Sequence, residues 1–259
     1  MPDSESHRDR LSVVLVSPRN PLNIGAAARA MANFGFSRLA VVAPYEPHWR
    51  EAKSDAHWRE ARSAVGASDL LQNARSTKTL AEAVANCTLV VGTASIDRRK
   101  PEQPLIPLPE FAPLIQKELA RGGRVGLVFG SEKRGLSRED LAHCHVLTVI
   151  PTDPQQPSMN LGQAVAVCLY EIASRINETP LPGTNQGPAE DAVPASTRDL
   201  DLLAGVVEET MLAAKYSPAA MRKANRHDLD LLLRRLTLTR DDTRRVLGFF
   251  RRILWRLKQ

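Results

Sequence analysis

The chain has 259 residues, 43% of them hydrophobic and 25% charged, enough to build one substantial α/β domain with a small appendage. No apolar run approaches the roughly 18–20 residues that span a bilayer, and Met1 to Arg10 is polar where a signal peptide would be apolar, so a soluble cytoplasmic protein is expected. Cys87, Cys144 and Cys168 lie far apart without a CxxC pair, an odd, sparse count that suits a reducing compartment better than a disulfide framework and points to buried thiols with no metal site.

In chain order, near-continuous apolar runs predict strands at Ser12 to Val16, Leu39 to Ala43, Thr88 to Gly92, Val125 to Phe129 and Leu147 to Ile150. Between and after them, amphipathic stretches predict helices at Ile24 to Phe34, Asp55 to Ala64, Leu80 to Ala85, Pro109 to Arg121 and Leu161 to Ile176. This alternation describes an α/β domain over 1–177 with a mostly parallel sheet. Residues 178–197 carry four prolines and no apolar periodicity, and read as a linker. Beyond it, 198–259 reads as a helical unit, with helices at Asp199 to Tyr216 and Ala219 to Leu236. A third begins after Thr239, which offers an N-cap followed by Asp241 and Asp242. Val246, Leu247, Phe250, Ile253, Leu254 and Leu257 form its apolar side.

The basic charge is local. From Arg198 to Gln259 there are 14 Lys and Arg against 8 Asp and Glu, a net +6 that equals the excess of the whole chain. A positive field at one end suits a polyanion such as nucleic acid, although for a charge run alone a solvated helical face is the commoner explanation.

Four polar turns follow predicted strands, where open α/β sheets bind ligands. Ser17 to Arg29 leads into the first helix with Asn23 placed to cap it and small alanines behind. Gly92-Thr-Ala-Ser95 ends a strand in small residues. Phe129 to Leu136 sets Glu132 between two glycines, and Ile150 to Val167 delivers Ser158 and Asn160 to the start of a helix. Each alone is explained by a turn or a cap. No GxGxxG follows the first strand and no GxxxxGK[ST] occurs, so classical dinucleotide and P-loop sites are disfavoured.

Taken together, NIGAAARAM (Asn23 to Met31), FGSEKRGL (Phe129 to Leu136) and SMNLGQAV (Ser158 to Val165) resemble, in order and spacing, the three motifs of SpoU/TrmH-type RNA 2′-O-ribose methyltransferases of the SPOUT superfamily. The resemblance covers residues 11–177. It implies a Rossmann-like parallel sheet with a C-terminal trefoil knot, S-adenosyl-L-methionine as cofactor, and a homodimer with sites assembled across the interface. The cofactor would be held by Thr93, Ala94, Ser95, Gly130, Ile150, Ser158, Met159 and Leu161. Asn23, Arg29, Glu132 and Asn160 would be the catalytic set. Pro157 and Met159 stand where Ser and Leu are typical, which removes a side-chain hydroxyl contact at 157.

The short N-terminus, the VVGTAS stretch ending at Ser95 and the late helices are most similar to the branch that methylates a tRNA ribose in the anticodon loop, of the position-32 type. An rRNA enzyme, or a non-catalytic RNA-binding or assembly protein of the same fold, is the alternative. RNA contacts are expected from Arg19 and Arg29, and from Arg244, Arg245, Arg251, Arg252 and Arg256 on the last helix, whose Phe249, Phe250 and Trp255 are alternatively placed to dock a partner subunit. A guanidinium, with a pKa above about 12, is a poor base, so Arg29 is read as a phosphate clamp.

Overall fold

A computed structural model describes residues 6–46, 49–50, 66–94, 102–176, 193–216 and 219–259. Among them, seven strands, β1 (Leu11–Val16), β2 (Arg38–Val42), β3 (Arg75–Thr77), β4 (Leu89–Thr93), β5 (Leu105–Pro107), β6 (Val125–Phe129) and β7 (Val146–Val149), form one sheet in the order β3-β2-β1-β6-β4-β7-β5. Every pairing is parallel. The five expected strands are present. The two unexpected ones, β3 and β5, are three-residue edge strands, too short for a period to show, and Pro107 is tolerable because it sits at an edge.

The helices are α1 (Pro21–Asn33), α2 (Ser68–Gln72), α3 (Leu80–Val84), α4 (Leu108–Ala120), α5 (Arg138–Ala142), α6 (Leu161–Ile176), α7 (Thr197–Ala213), α8 (Arg222–Arg235) and α9 (Arg240–Leu257). The helix expected at 55–64 lies outside the described residues. Strand residues alternate between two cores: Leu11, Val13 and Leu15 of β1 join α1, α4 and α6, while Val14 and Val16 join α3 on the opposite face. Covering both faces is why the strands read as unbroken apolar runs.

The first helix starts earlier than expected. Helix α1 begins at Pro21, because Asn20 accepts a hydrogen bond from the Leu22 amide (2.9 Å) and Pro21 fills the first helical position. Asn23 is therefore not the cap, and its amide is available elsewhere. Helices α2 and α5, five residues each, were not expected, although Ser137 and Asp140 form a reciprocal capping box at the start of α5. Helices α1 and α6 cross closely: a Cβ on Gly162 would lie 2.5 Å from the Ala26 Cβ.

The C-terminal helices build a third core from Leu203, Ala204, Val207 and Leu233, against which Val246, Leu247 and Phe250 of α9 pack. Ile253 and Leu257, expected on that apolar side, are exposed instead. The end of the expected linker is tied down. Ala195 donates to the Leu238 carbonyl (3.0 Å), Arg240 to Val193 (2.8 Å), and the Thr197 amide and hydroxyl both donate to the Cys87 carbonyl (2.8 and 2.9 Å). Among the described residues no helix is long and apolar enough to cross a membrane. The three cysteines are buried free thiols, their pKa values raised to about 12 by burial.

His145 precedes β7, and its Nδ1 accepts the Val90 amide of β4 (3.1 Å). Burial, reinforced by the Arg234 guanidinium, lowers its pKa to about 3. The folded protein thus keeps this ring neutral while the unfolded chain protonates it near pH 6.5. Stability is fully present above that pH and falls as pH drops from about 6.5 toward 3, by up to about 1.4 kcal/mol per unit from this group. Urea midpoints measured at pH 7.5, 6 and 5 should show the fall, and His145→Gln should flatten it; an equal slope in both proteins would contradict the assignment.

Candidate functional site

Strands β6, β4 and β7 lie side by side and point the same way, so their carboxyl ends bring Gly130, Thr93 and Ile150 to one edge of the sheet. There they line a cleft of about 530 Å³. Leu105, Leu136, Leu141 and Leu147 supply its apolar floor, and Ser131, Glu132, Thr152 and Ser158 its polar rim. Of the residues expected to hold a cofactor, Thr93, Ala94, Gly130, Ile150, Ser158, Met159 and Leu161 all line it. Ser95 lies outside the described residues.

Hydrogen bonds fix the walls. The Thr93 hydroxyl donates to the Val128 carbonyl (3.1 Å) and the Ala94 amide to Thr148 (3.0 Å), so both donors serve the sheet and the wall offers shape and carbonyl oxygens. Across the rim, the Thr152 hydroxyl donates to the Pro157 carbonyl (3.2 Å) and closes the loop that carries Ser158. Gly130 is where the next loop doubles back: Ser131 and Gly135 bridge, the Gly135 amide donates to Ser131 (2.8 Å), and Gly135 has φ +63°. A Cβ on Gly130 would overlap the Gly135 carbonyl carbon and the Leu136 nitrogen.

That doubled loop presents Glu132 to the start of α1. Its carboxylate accepts hydrogen bonds from the Asn23 side-chain amide (3.0 Å) and from the Arg19 and Asn20 backbone amides (3.2 and 3.1 Å). Asn23 in turn accepts from the Asn160 side-chain amide (2.9 Å), and the Asn160 oxygen accepts the Gly162 amide at the start of α6 (2.9 Å). The start of α1 is thereby joined in one polar chain to two segments each more than a hundred residues further along. Burial raises the Glu132 pKa, but the bonds from Asn23 and the backbone amides outweigh it and hold the carboxyl below the usual range. At neutral pH Glu132 is an anion with its lone pairs engaged, suited to orienting rather than to taking a proton.

Arg29 shares α1 with Asn23 but lies six residues on, about 9 Å further along the axis, on the exposed side of the helix with Leu22. Arg19 is also exposed beside the cleft, while Arg244, Arg245, Arg251, Arg252 and Arg256 are exposed on α9. Sequence reasoning missed Leu105, Leu136, Leu141, Leu147 and Thr152. Leu141 could have been found from the Ser137 to Asp140 capping box; Leu105 sits in an edge strand with no readable period.

Residues 10–170 match the family model described as the SpoU rRNA Methylase family. The tRNA (cytidine/uridine/adenosine-2′-O-)-methyltransferase TrmJ of Pseudomonas aeruginosa is 44% identical over 165 residues, 63% of this chain and 60% of that protein. The chain therefore spans less than two thirds of that relative. The tRNA (cytidine/uridine-2′-O-)-methyltransferase TrmJ of Escherichia coli K12 is 35% identical over 206 residues, 80% of this chain and 79% of its own. The crystal structure of TrmJ from Z. mobilis ZM4 superposes with a TM-score of 0.76 at 30% identity, covering 93% of this chain and 98% of that one.

Proposed function

The chain belongs to the SpoU rRNA methylase family, and on that premise we propose that it transfers a methyl group from S-adenosyl-L-methionine to a ribose 2′-hydroxyl of tRNA. The observation that carries this reading is the Glu132–Asn23–Asn160 chain at the mouth of the cleft, because it joins all three motif segments. The tRNA substrate is supported by the names of the TrmJ relatives, and the anticodon loop within it by the resemblance of the sequence to that branch. A cytoplasmic location follows from that substrate.

The cleft suits the adenosine part of such a cofactor. Its volume falls in the ordinary range for ligand pockets, its floor is apolar, and Gly130 leaves open the space that a side chain would fill. Thr93, Ala94, Gly130, Ile150, Ser158, Met159 and Leu161 would hold it. When bound, the cofactor supplies a methyl group on a positively charged sulfur. The chain's own residues do the rest. Glu132 stays ionised and fixes Asn23, Asn23 fixes Asn160, and the start of α1 is pinned where the ribose must lie. Arg29 grips the neighbouring phosphate and favours the alkoxide that develops on the 2′-oxygen, with the proton leaving to solvent or phosphate.

A second copy of the chain fits the face formed by α1 and α6, where Leu22 (50% exposed) and Tyr170 (61% exposed) stand in solvent near Arg29. Covering that face would bring Arg29 to the partner's cleft, as the family resemblance implies.

The arginines of α9 complete the reading as an RNA grip. Changing Arg244, Arg245, Arg251 and Arg252 together to glutamine should weaken tRNA binding and lower the salt slope of log K by up to about 3, while the thermal midpoint stays within a few degrees. Filter binding at several salt concentrations reads both. An unchanged slope would make these arginines solubilising charge only. Labelled cofactor incubated with bulk tRNA and, separately, with rRNA tests the function: label in tRNA supports it, label confined to rRNA moves the enzyme to its sibling class, and label in neither removes catalysis.

A further inference from the structure

We propose that Arg234 is a positioning residue for the cleft: its buried guanidinium locks helix α8 to the turn between Leu141 and Leu147, so that the C-terminal helices hold the cleft's apolar floor in shape. The inference rests on the reading above only for the identity of the cleft's ligand.

The Arg234 side chain is 2% exposed, rare for a charged group without a specific task. One guanidinium nitrogen donates to the Asp201 carboxylate on α7 (2.9 Å) and lies 3.4 Å from His143 Nδ1; the other donates to the Asp230 carbonyl (3.1 Å). His143 ends α5, the helix that contributes Leu141, and two residues later His145 is tied to Val90 before β7 contributes Leu147. Asp201 and the Asp230 carbonyl therefore hold the cation on the helical side while His143 is its reach across to the cleft. Burial and the same guanidinium keep both histidines neutral, so each ring can accept a hydrogen bond.

A second contact points to the same place. His227, two turns earlier on the same face of α8, lies 3.4 Å from the Glu102 carboxylate, which also pairs with Arg138 of α5 (3.1 Å). The adjacent Gln103 donates to the Leu141 carbonyl (2.7 Å), and the Leu147 amide donates to Pro104 (2.8 Å). Leu105 follows directly and also lines the cleft. Helix α8 thus holds the two segments that carry Leu105, Leu141 and Leu147, and those segments hold each other. An arginine that merely stabilised the C-terminal core would have no reason to end on His143.

The test uses the full chain, with S-adenosylhomocysteine as the probe. Calorimetry gives its Kd, and amide hydrogen exchange is read over 136–150 in the ligand-free protein. Arg234→Leu should raise Kd about tenfold, an ordinary coupling, and speed exchange over 136–150 relative to β1. Arg234→Lys, which keeps the charge near Asp201, should recover part of both. A lower thermal midpoint with Kd and the exchange pattern unchanged would overturn the proposal, leaving Arg234 a structural ion pair. Should Arg234→Leu fail to fold, Glu102→Gln alters the second contact at an exposed site and should raise Kd severalfold; an unchanged Kd there overturns it equally. If the wild-type chain binds no S-adenosylhomocysteine, the functional reading fails separately, and the exchange pattern alone decides the role of Arg234.

Discussion

Replacing Arg29 with lysine should leave cofactor affinity within about twofold of wild type and cut turnover roughly 100- to 1,000-fold, the range seen when one preorganised donor to developing charge is lost. The substitution keeps a positive charge on α1 and disturbs no buried packing, since Arg29 is exposed while Ala28 and Ala30 face the core. What it removes is the planar fork that can meet two phosphate oxygens at once. The cofactor cleft is lined by other segments and should not register the change. Calorimetry with S-adenosylhomocysteine and incorporation of labelled methyl into tRNA separate the two effects. Near-normal turnover at neutral pH would remove Arg29 from the catalytic set.

Gly130→Ala should act the opposite way, weakening cofactor binding first. The added methyl would fall on the Gly135 carbonyl carbon and the Leu136 nitrogen, which are backbone atoms and cannot turn aside as a flexible side chain could. The loop would have to open, carrying Leu136 off the cleft floor and Glu132 away from Asn23. Overpacking of this kind costs about 1–3 kcal/mol, and if most of it falls on the bound state, Kd rises on the order of a hundredfold. A thermal midpoint a few degrees lower should accompany it. Wild-type affinity in Gly130→Ala would mean that the tight turn has no part in holding the cofactor.

The central five strands were legible because each is buried on both faces and written in β-branched and aliphatic residues. Strands β3 and β5 were not, since Arg75-Ser-Thr77 and Leu105-Ile-Pro107 lie at the sheet edges and are shorter than one readable period. The cap of α1 went to Asn20 because Pro21 is best placed at the first helical position, a local rule visible in the sequence but outweighed there by the motif beginning at Asn23. The motif segments announced that Asn23, Glu132 and Asn160 belong together. Their hydrogen-bond order did not show, because it depends on loops that meet only in three dimensions. Likewise the expectation of a trefoil knot came only from the family resemblance, as no periodicity records which segment threads another. Arg234 read as one basic residue among fourteen; its burial and its reach to His143 are set by how α7, α8 and α5 pack.

The atom that receives the methyl group distinguishes a ribose 2′-O-methyltransferase from a base methyltransferase. Wild-type protein incubated with labelled S-adenosyl-L-methionine and unmodified tRNA, followed by alkaline hydrolysis, reads it directly, because a 2′-O-methylated ribose protects the adjoining phosphodiester. Label recovered in an alkali-resistant dinucleotide from the anticodon loop is the expected result. Label recovered in ordinary mononucleotides would place the methyl on a base and contradict the account.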